Sequence, residues 1–73
     1  MIEVKFFATL REGRGKIVQL PAGEVSCGRD ILNRFDISEE EVAIFLINGF
    51  HSKPIDPVKD GDVIALFPPV GGG

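Results

Sequence analysis

The chain begins with a segment in which apolar and charged residues alternate. Every second position from 2 to 6 is aliphatic or aromatic, and the positions between them are charged. This period of two predicts a strand, which we place over residues 2–10. The glycines and polar residues at 11–15 predict a hairpin turn, and a second strand should follow over 16–20.

The next apolar residues recur with helical spacing. Ser26 suits the N-cap of a short helix over about 27–35. Three residues of this helix fall on one face at i, i+4 and i+8, namely Cys27, Ile31 and Phe35. Gly28 should weaken the helix by up to about 1 kcal/mol relative to alanine.

Strands dominate the second half of the chain. Ser38 and Glu41 have capping-box spacing, although the space between neighbouring elements allows only one helical turn. A continuous apolar run at 42–47 predicts a strand that ends at an Asn-Gly turn. The two prolines within 51–57 permit at most a very short edge strand, and a last strand is expected over 62–67.

This order of elements predicts an α+β protein with a β-grasp architecture. One helix cannot cover both faces of a sheet, so it should pack on one face of a mixed sheet of four to five strands. The first and last strands are then parallel neighbours in the centre. The 73 residues suffice for one domain. We place the domain at residues 1–67 and a flexible C-terminal tail at 68–73.

Composition excludes several classes of site. The net charge of −3 disfavours nucleic acid or an anionic membrane as the main partner. Cys27 is the only cysteine, which excludes an internal disulfide, a cysteine-rich zinc site and an iron–sulfur cluster. We predict no metal site and no bound cofactor. The sequence shows neither a signal peptide nor an apolar stretch long enough to span a membrane, so a cytoplasmic location is expected.

The helix-free face of the sheet is the predicted docking surface. Alternation places several apolar side chains on it: Phe7, Ile44, Leu46, Val63, Ala65 and Phe67. Solvating such a patch is costly, because burying one phenylalanine against a partner stabilises by roughly 1.5–3 kcal/mol. A surface for self-association, or scattered exposed residues, is the alternative interpretation.

The last residues of the sequence suggest which chemical group is reactive. Pro68 and Pro69 stop the last strand, since neither can donate to a sheet, and three glycines follow after Val70. Glycine has no Cβ, so such a segment can enter a channel too narrow for other residues. Six extended residues reach about 20 Å. The terminal carboxylate is therefore the candidate reactive group, and a frayed end without function is the alternative.

Other side chains give weaker signals. Cys27 falls on the apolar face of the predicted helix, which favours a structural thiol over a reactive one. His51 lies in a predicted turn with no metal-ligating neighbours. Arg11, Arg14 and Lys16 form a basic edge that either docks an acidic partner or is an ordinary solvated hairpin. No pair or triad suited to hydrolytic catalysis is present, so the domain alone should catalyse nothing.

Three segments together resemble a known family. They are residues 4–12 (VKFFATLRE), 47–49 (ING) and 60–73 (DGDVIALFPPVGGG). In this order and spacing they are similar to the MoaD/ThiS-like sulfur carriers, which are ubiquitin-like proteins. Within that family the chain most resembles the small subunit of molybdopterin synthase, and the similarity covers nearly the whole chain.

The resemblance implies a chemistry for the chain. The carboxylate of Gly73 would be adenylated by a ubiquitin-activating-type enzyme of the MoeB/ThiF kind, which uses ATP, and then converted to a thiocarboxylate with sulfur from a donor protein. The sulfur would serve a MoaE-like large synthase subunit in molybdenum or tungsten cofactor biosynthesis. The implied partner-binding residues are Gly71, Gly72, Phe67, Phe7, Arg11 and Leu46.

Other roles use the same activation chemistry and stay open at this point. They are a sulfur carrier for tRNA thiolation or thiamine-type synthesis, a ubiquitin-like modifier joined to protein lysines, and a passive β-grasp binding module with an inert tail.

Overall fold

The computed structural model describes residues 1–69. Five strands form one mixed sheet in the order β2-β1-β5-β3-β4. The strands are β1 (Ile2–Phe6), β2 (Ile17–Leu20), β3 (Ile44–Ile47), β4 (Phe50–His51) and β5 (Val63–Phe67). The central pair, β1 and β5, is parallel, and the other pairs are antiparallel. The predicted β-grasp architecture is confirmed. The end of the predicted tail, residues 70–73, lies outside the described residues.

The helical elements are short. Helix α1 (Gly28–Arg34) has seven residues, and three turns of 3-10 helix cover Ala8–Arg11, Ala22–Glu24 and Glu39–Glu41. Within residues 1–69, no helix is long and apolar enough to cross a membrane.

The core lies between α1 and one face of the sheet. The inward-facing side chains of β1 and β5 are almost completely buried, as are two residues of α1: Ile2, Val4, Phe6, Ile64, Leu66, Ile31 and Leu32. Along both central strands, buried and half-buried residues alternate strictly. The face assignment made from the sequence for these two strands is therefore confirmed.

The first strand is shorter than predicted. We expected it to continue to residue 10, but it ends at Phe6. Ala8 has a φ of 52°, which interrupts the extended chain. The following 3-10 turn brings Leu10 into the core, where it is only 4% exposed. Burial of one aliphatic side chain thus determines a turn that alternation alone did not reveal.

The predicted start of the helix was wrong by one residue. Cys27, rather than Ser26, occupies the N-cap, and its side chain makes no capping bond. The Ser26 hydroxyl and amide instead donate to the Asp30 carboxylate at 3.0 and 2.8 Å. These bonds, the amide first, lower the pKa of Asp30. The buried face also differs, because Leu32 joins Ile31 in the core whereas Cys27 is only half-buried.

The helix ends in a Schellman motif. Asp36 follows the C-cap with a φ of 56°, and its amide donates to the Asn33 carbonyl. The amide of Ile37 donates back to Leu32 at 2.9 Å, and the Ile37 side chain is buried in the core. This motif, which we did not predict, sets the last helical residue.

Gly28 is required by packing. It is buried, and a Cβ at this position would lie 2.4 Å from Cζ of Phe45, a core residue of β3. No real Cβ tolerates that distance, so α1 can approach the sheet closely only because residue 28 lacks a side chain. The sequence indicated that this glycine weakens the helix, but it did not reveal that the glycine allows α1 to pack closely on the sheet.

Two predicted turns are confirmed. The Ser38–Glu41 capping box is present at the 3-10 turn of Glu39–Glu41. The Asn-Gly turn follows β3, with a φ of 53° at Asn48. Asn48 Nδ2 donates to Asp62 Oδ1 at 2.9 Å, and Asn48 Oδ1 accepts from the Val63 amide at 2.9 Å. This side chain therefore ties the turn to the start of β5.

Candidate docking face

The sheet leaves one side without a helix, which we call the open face. It consists of the outward-facing residues of the strands, in register across the sheet. One row crosses all five strands: Ile17, Lys5, Ala65, Leu46 and His51. A second row pairs Phe67 with Ile44. Apolar side chains from at least three strands thus lie side by side, as the sequence indicated.

An aromatic stack stands where β5 ends. The rings of Phe7 and Phe67 are 4.2 Å apart between centroids and nearly parallel, at 9°. Arg11 also lies over the Phe7 ring, with its guanidinium carbon 5.5 Å from the centroid. We call these three residues the stack. Phe67 is the residue immediately before Pro68, so the stack lies at the root of the tail.

Backbone hydrogen bonds hold the stack at both sides. The Phe7 amide donates to the Leu66 carbonyl at 3.1 Å, and the Phe67 carbonyl accepts from Ala43 at 2.8 Å. Arg11 Nε donates to the Phe6 carbonyl at 2.9 Å. The guanidinium is therefore fixed both by a hydrogen bond and by the ring beneath it.

Apolar residues of the open face are accessible to a partner. Ile44 and Ile17 are 38% and 54% exposed, while Leu46, Ala65 and Phe67 are half-buried. Sequence analysis had not assigned Ile17 to this surface. Its position follows from the register with Lys5, and the alternation of 17–20 could have suggested it.

The charged and polar side chains of the open face lie mainly on β1 and β2. The Lys5 ammonium is 3.8 Å from the Glu3 carboxylate, which also accepts from Gln19 Nε2 at 3.2 Å. Arg11 makes no ion pair within residues 1–69. The open face thus presents apolar residues from β2, β3 and β5, an ion pair on β1, and the exposed Arg11 beside the root of the tail.

The three residues of the predicted basic edge, Arg11, Arg14 and Lys16, have different environments in the structure. Arg14 turns inward and donates to the carbonyls of Phe35 and Leu10 at 3.2 and 3.3 Å. It therefore ties the first connection to the end of α1. Arg11 belongs to the stack, and only Lys16 is an ordinary exposed cation of this segment.

Four predicted partner-binding residues lie in the described part of the chain. Phe7, Arg11 and Phe67 form the stack, and Leu46 lies two residues along β3 from Ile44, the neighbour of Phe67. Their role in docking stays a prediction. Gly71, Gly72 and Gly73 lie outside the described residues, so their predicted roles have no structural counterpart here.

The remaining candidate residues are spread over the molecule. Cys27 is a free, half-buried thiol at the start of α1, and His51 is exposed on the edge strand. Among residues 1–69, no three His, Cys, Asp or Glu side chains are grouped so that they could hold a metal ion.

The mixed sheet, with parallel first and last strands and a single short helix, places the protein among the ubiquitin-like β-grasp proteins. The model of the ThiS family matches residues 4–73. The chain therefore belongs to the ThiS family and is a small ubiquitin-like protein of the MoaD/ThiS type, which confirms the resemblance seen in the sequence.

Solved structures of similar proteins cover nearly the whole chain. SAMP1 of Haloferax volcanii, a small archaeal modifier protein, matches with a TM-score of 0.76 and 25% identity over 99% of this chain and 98% of its own. A Pyrococcus furiosus protein assigned to molybdopterin converting factor, subunit 1, matches with a TM-score of 0.65 and 28% identity over 94% and 97%.

A third similar chain comes from a complex of subunits 1 and 2 of the molybdopterin-converting factor of Helicobacter pylori. Its TM-score is 0.63 at 26% identity, covering 99% of this chain and 97% of that chain. No curated protein sequence matches the chain significantly.

Proposed function

We propose that the protein is a sulfur carrier that delivers a C-terminal thiocarboxylate for molybdopterin synthesis. The observation that carries the proposal is the stack at the root of a tail ending in three glycines. An apolar docking face beside a thin arm suits a protein whose terminal group must enter the active sites of larger partners.

The chemistry needs an activated carboxylate, because a free carboxylate is a poor electrophile. A carboxylate oxygen of Gly73 attacks the α-phosphorus of ATP in the activating enzyme and expels pyrophosphate. Sulfur from a sulfide or a donor persulfide then attacks the acyl carbon, and AMP leaves with one of the original carboxylate oxygens. When the donor is a persulfide, a thiol afterwards cleaves the S–S bond and releases the thiocarboxylate.

The proposed partners follow from this sequence of steps. An adenylating enzyme of the MoeB/ThiF kind supplies the nucleotide site, and a donor protein supplies sulfur. The similar Helicobacter pylori chain is solved together with subunit 2 of its converting factor. That likeness supports a corresponding large subunit as the acceptor of sulfur from this chain.

Intact-mass spectrometry tests the proposal directly. The protein is incubated with the adenylating enzyme, ATP and a persulfide donor. We expect a mass gain equal to the exchange of one oxygen for sulfur, with the change located on Gly73. The Cys27→Ser variant should gain the same mass, since serine suits the N-cap position that Cys27 occupies. A gain that maps to Cys27 in the wild type, and is lost in this variant, would overturn the proposal.

A second candidate function is supported by the likeness to SAMP1, a modifier protein, whose TM-score of 0.76 exceeds that of either converting-factor subunit. In that role the activated Gly73 would be transferred to protein lysines. Peptide mass spectrometry of cell extracts distinguishes the two. Isopeptide-linked remnants of this tail on lysines would favour the modifier, and a thiocarboxylate without such remnants would favour the carrier.

A further inference from the structure

Arg11 is exposed, yet its side chain makes more contacts within the domain than a simple docking contact requires. Its Nε donates to the Phe6 carbonyl at 2.9 Å, and its guanidinium carbon lies over the Phe7 ring, 5.5 Å from the centroid. The Phe7 ring in turn stacks on Phe67. A solvent-exposed arginine used only as a charge needs neither contact.

The stack links two segments that are far apart in sequence. Arg11 and Phe7 belong to the connection after β1, whereas Phe67 is the last residue of β5. After Phe67 the chain continues into two prolines, whose rings fix φ near −65°. The orientation of residue 67 therefore determines the direction in which residues 68 and 69 leave the sheet.

We propose that Arg11 is a positioning residue: through Phe7 it holds Phe67, and thereby the root of the tail, in the orientation that the activating enzyme accepts. The inference rests on the proposed function, because it concerns how the tail is presented for adenylation. It differs from the role implied by the family resemblance, in which Arg11 contacts the partner itself.

The two roles make opposite demands on the side chain. A charge contact with a partner needs only a cation, which lysine also supplies. Holding the ring needs a flat group over Phe7 and, at the same time, a donor at the Phe6 carbonyl, and the single ammonium of lysine lacks the planar fork that supplies both. The Arg11→Lys variant therefore keeps the positive charge and removes the contact that holds the Phe7 ring.

The expected kinetic effect falls on turnover. When the tail root is misdirected, the carrier still docks through its apolar face, but fewer docked complexes place the carboxylate at ATP. At saturating carrier, kcat for pyrophosphate exchange should fall roughly two- to fivefold in Arg11→Lys, the factor that corresponds to the ~0.5–1 kcal/mol of an exposed cation–π contact. KM should change less.

The experiment compares four variants with the wild type. Arg11→Lys removes the guanidinium from the stack, and Phe7→Leu removes the ring that joins Arg11 to Phe67. The double variant tests whether Arg11 acts through Phe7. Lys53→Ala is the control for loss of one exposed cation, since residue 53 lies in the loop after β4, away from the stack. Thermal unfolding of each variant verifies the fold.

The isolated proteins provide a second readout. Stacked rings shift each other's proton resonances, so the Phe67 ring signals in the NMR spectrum should change in Arg11→Lys and not in Lys53→Ala. This measurement requires no partner enzyme and reports the stack directly.

The proposal predicts equal loss of kcat in Arg11→Lys and Phe7→Leu, no further loss in the double variant, and near wild-type rates for Lys53→Ala. Wild-type kinetics in Arg11→Lys, or additive losses in the double variant, would overturn it while leaving the proposed function intact. If the wild type itself supports no pyrophosphate exchange, the proposed function fails, and this inference with it.

Discussion

Gly28 illustrates how one position can be locally unfavourable and still necessary. Glycine lowers helix propensity by about 1 kcal/mol relative to alanine, and an exposed helix would gain from its replacement. In this protein, residue 28 is buried, and the space for a Cβ is occupied by Phe45 and by the Pro54 carbonyl. The close contact between α1 and β3 requires glycine at position 28, so packing outweighs helix propensity.

Gly28→Ala should therefore destabilise the protein. The added Cβ would force Phe45 out of place, and overpacking of this kind typically costs about 1–3 kcal/mol. Chemical denaturation measures the change. Asn33→Ala is the matched control, because residue 33 is an exposed position of the same helix, where alanine should leave stability unchanged or slightly higher. Equal stability of Gly28→Ala and the wild type would contradict the close packing of α1 on the sheet.

Asp62 should make stability depend on pH. Its side chain is only 5% exposed, and hydrogen bonds from the Asn48 amide and then from the Lys59 backbone lower its pKa. Since the folded pKa lies below the unfolded value of about 3.9, the contribution is complete above that value. It is lost as pH falls through the folded pKa.

Urea unfolding between pH 7 and pH 2 tests this expectation. The Asp62→Asn variant should be less stable than the wild type at neutral pH and should lose less stability on acidification. Asp36→Asn is the control, because the exposed Asp36 carboxylate makes no hydrogen bond within the described residues. An identical acid slope in wild type and Asp62→Asn would show that other carboxylates, such as Asp30 and Glu41, account for the dependence.

The strands could be predicted from the sequence far better than the helical segments could. Alternation identifies a half-buried strand because its two faces meet different environments, and β1 and β5 follow that pattern closely. The turns at Ala8 and Asp36 could not be foreseen, since neither residue favours a positive φ as glycine does. Burial of Leu10 and Ile37 supplies the reason, and burial depends on the assembled fold.

The candidate docking face, too, could be predicted from the sequence only in part. Alternation placed Phe7 and Phe67 on the open face, and the structure puts their rings in contact. The position of Arg11 over Phe7 and the inward turn of Arg14 depend on the path of the connection after β1. That path is irregular, so spacing in the sequence carries no information about it.

Phe67→Glu should weaken docking more than folding. The ring is half-buried on the open face, and a phenylalanine at the centre of an interface is a candidate hot spot worth about 2 kcal/mol or more on truncation. Calorimetric titration with the adenylating enzyme, and thermal unfolding of the same variant, separate the two effects. Phe50→Glu is the matched control, since residue 50 is 75% exposed and pairs with Ile47, which packs on the core side of the sheet. Intact binding with a collapsed fold would place Phe67 in the core.

In the proposed function, the packed domain is the base from which the carboxylate of Gly73 is presented to partner enzymes. The described core extends from Ile2 to Leu66, and the stack joins the two central strands where β5 ends. The chain is acidic, with a net charge of −3, and the open face presents apolar residues of β2, β3 and β5. A partner should therefore recognise the open face mainly through apolar contact, with long-range attraction to a basic surface adding to the association rate.

Deleting Gly73, or changing Gly72 to valine, should abolish sulfur loading while leaving the melting temperature nearly unchanged. The described core is complete without residues 72 and 73, and a Cβ in a narrow channel obstructs entry rather than folding. Intact-mass spectrometry measures loading, and calorimetry measures stability. Gly23→Val is the control, because a Cβ at residue 23 meets no atom within 4 Å and its backbone is not in the left-handed region. Loading that survives both tail changes would exclude Gly73 as the acceptor, whereas a large fall in melting temperature would mean that the tail packs on the domain and is not a free arm.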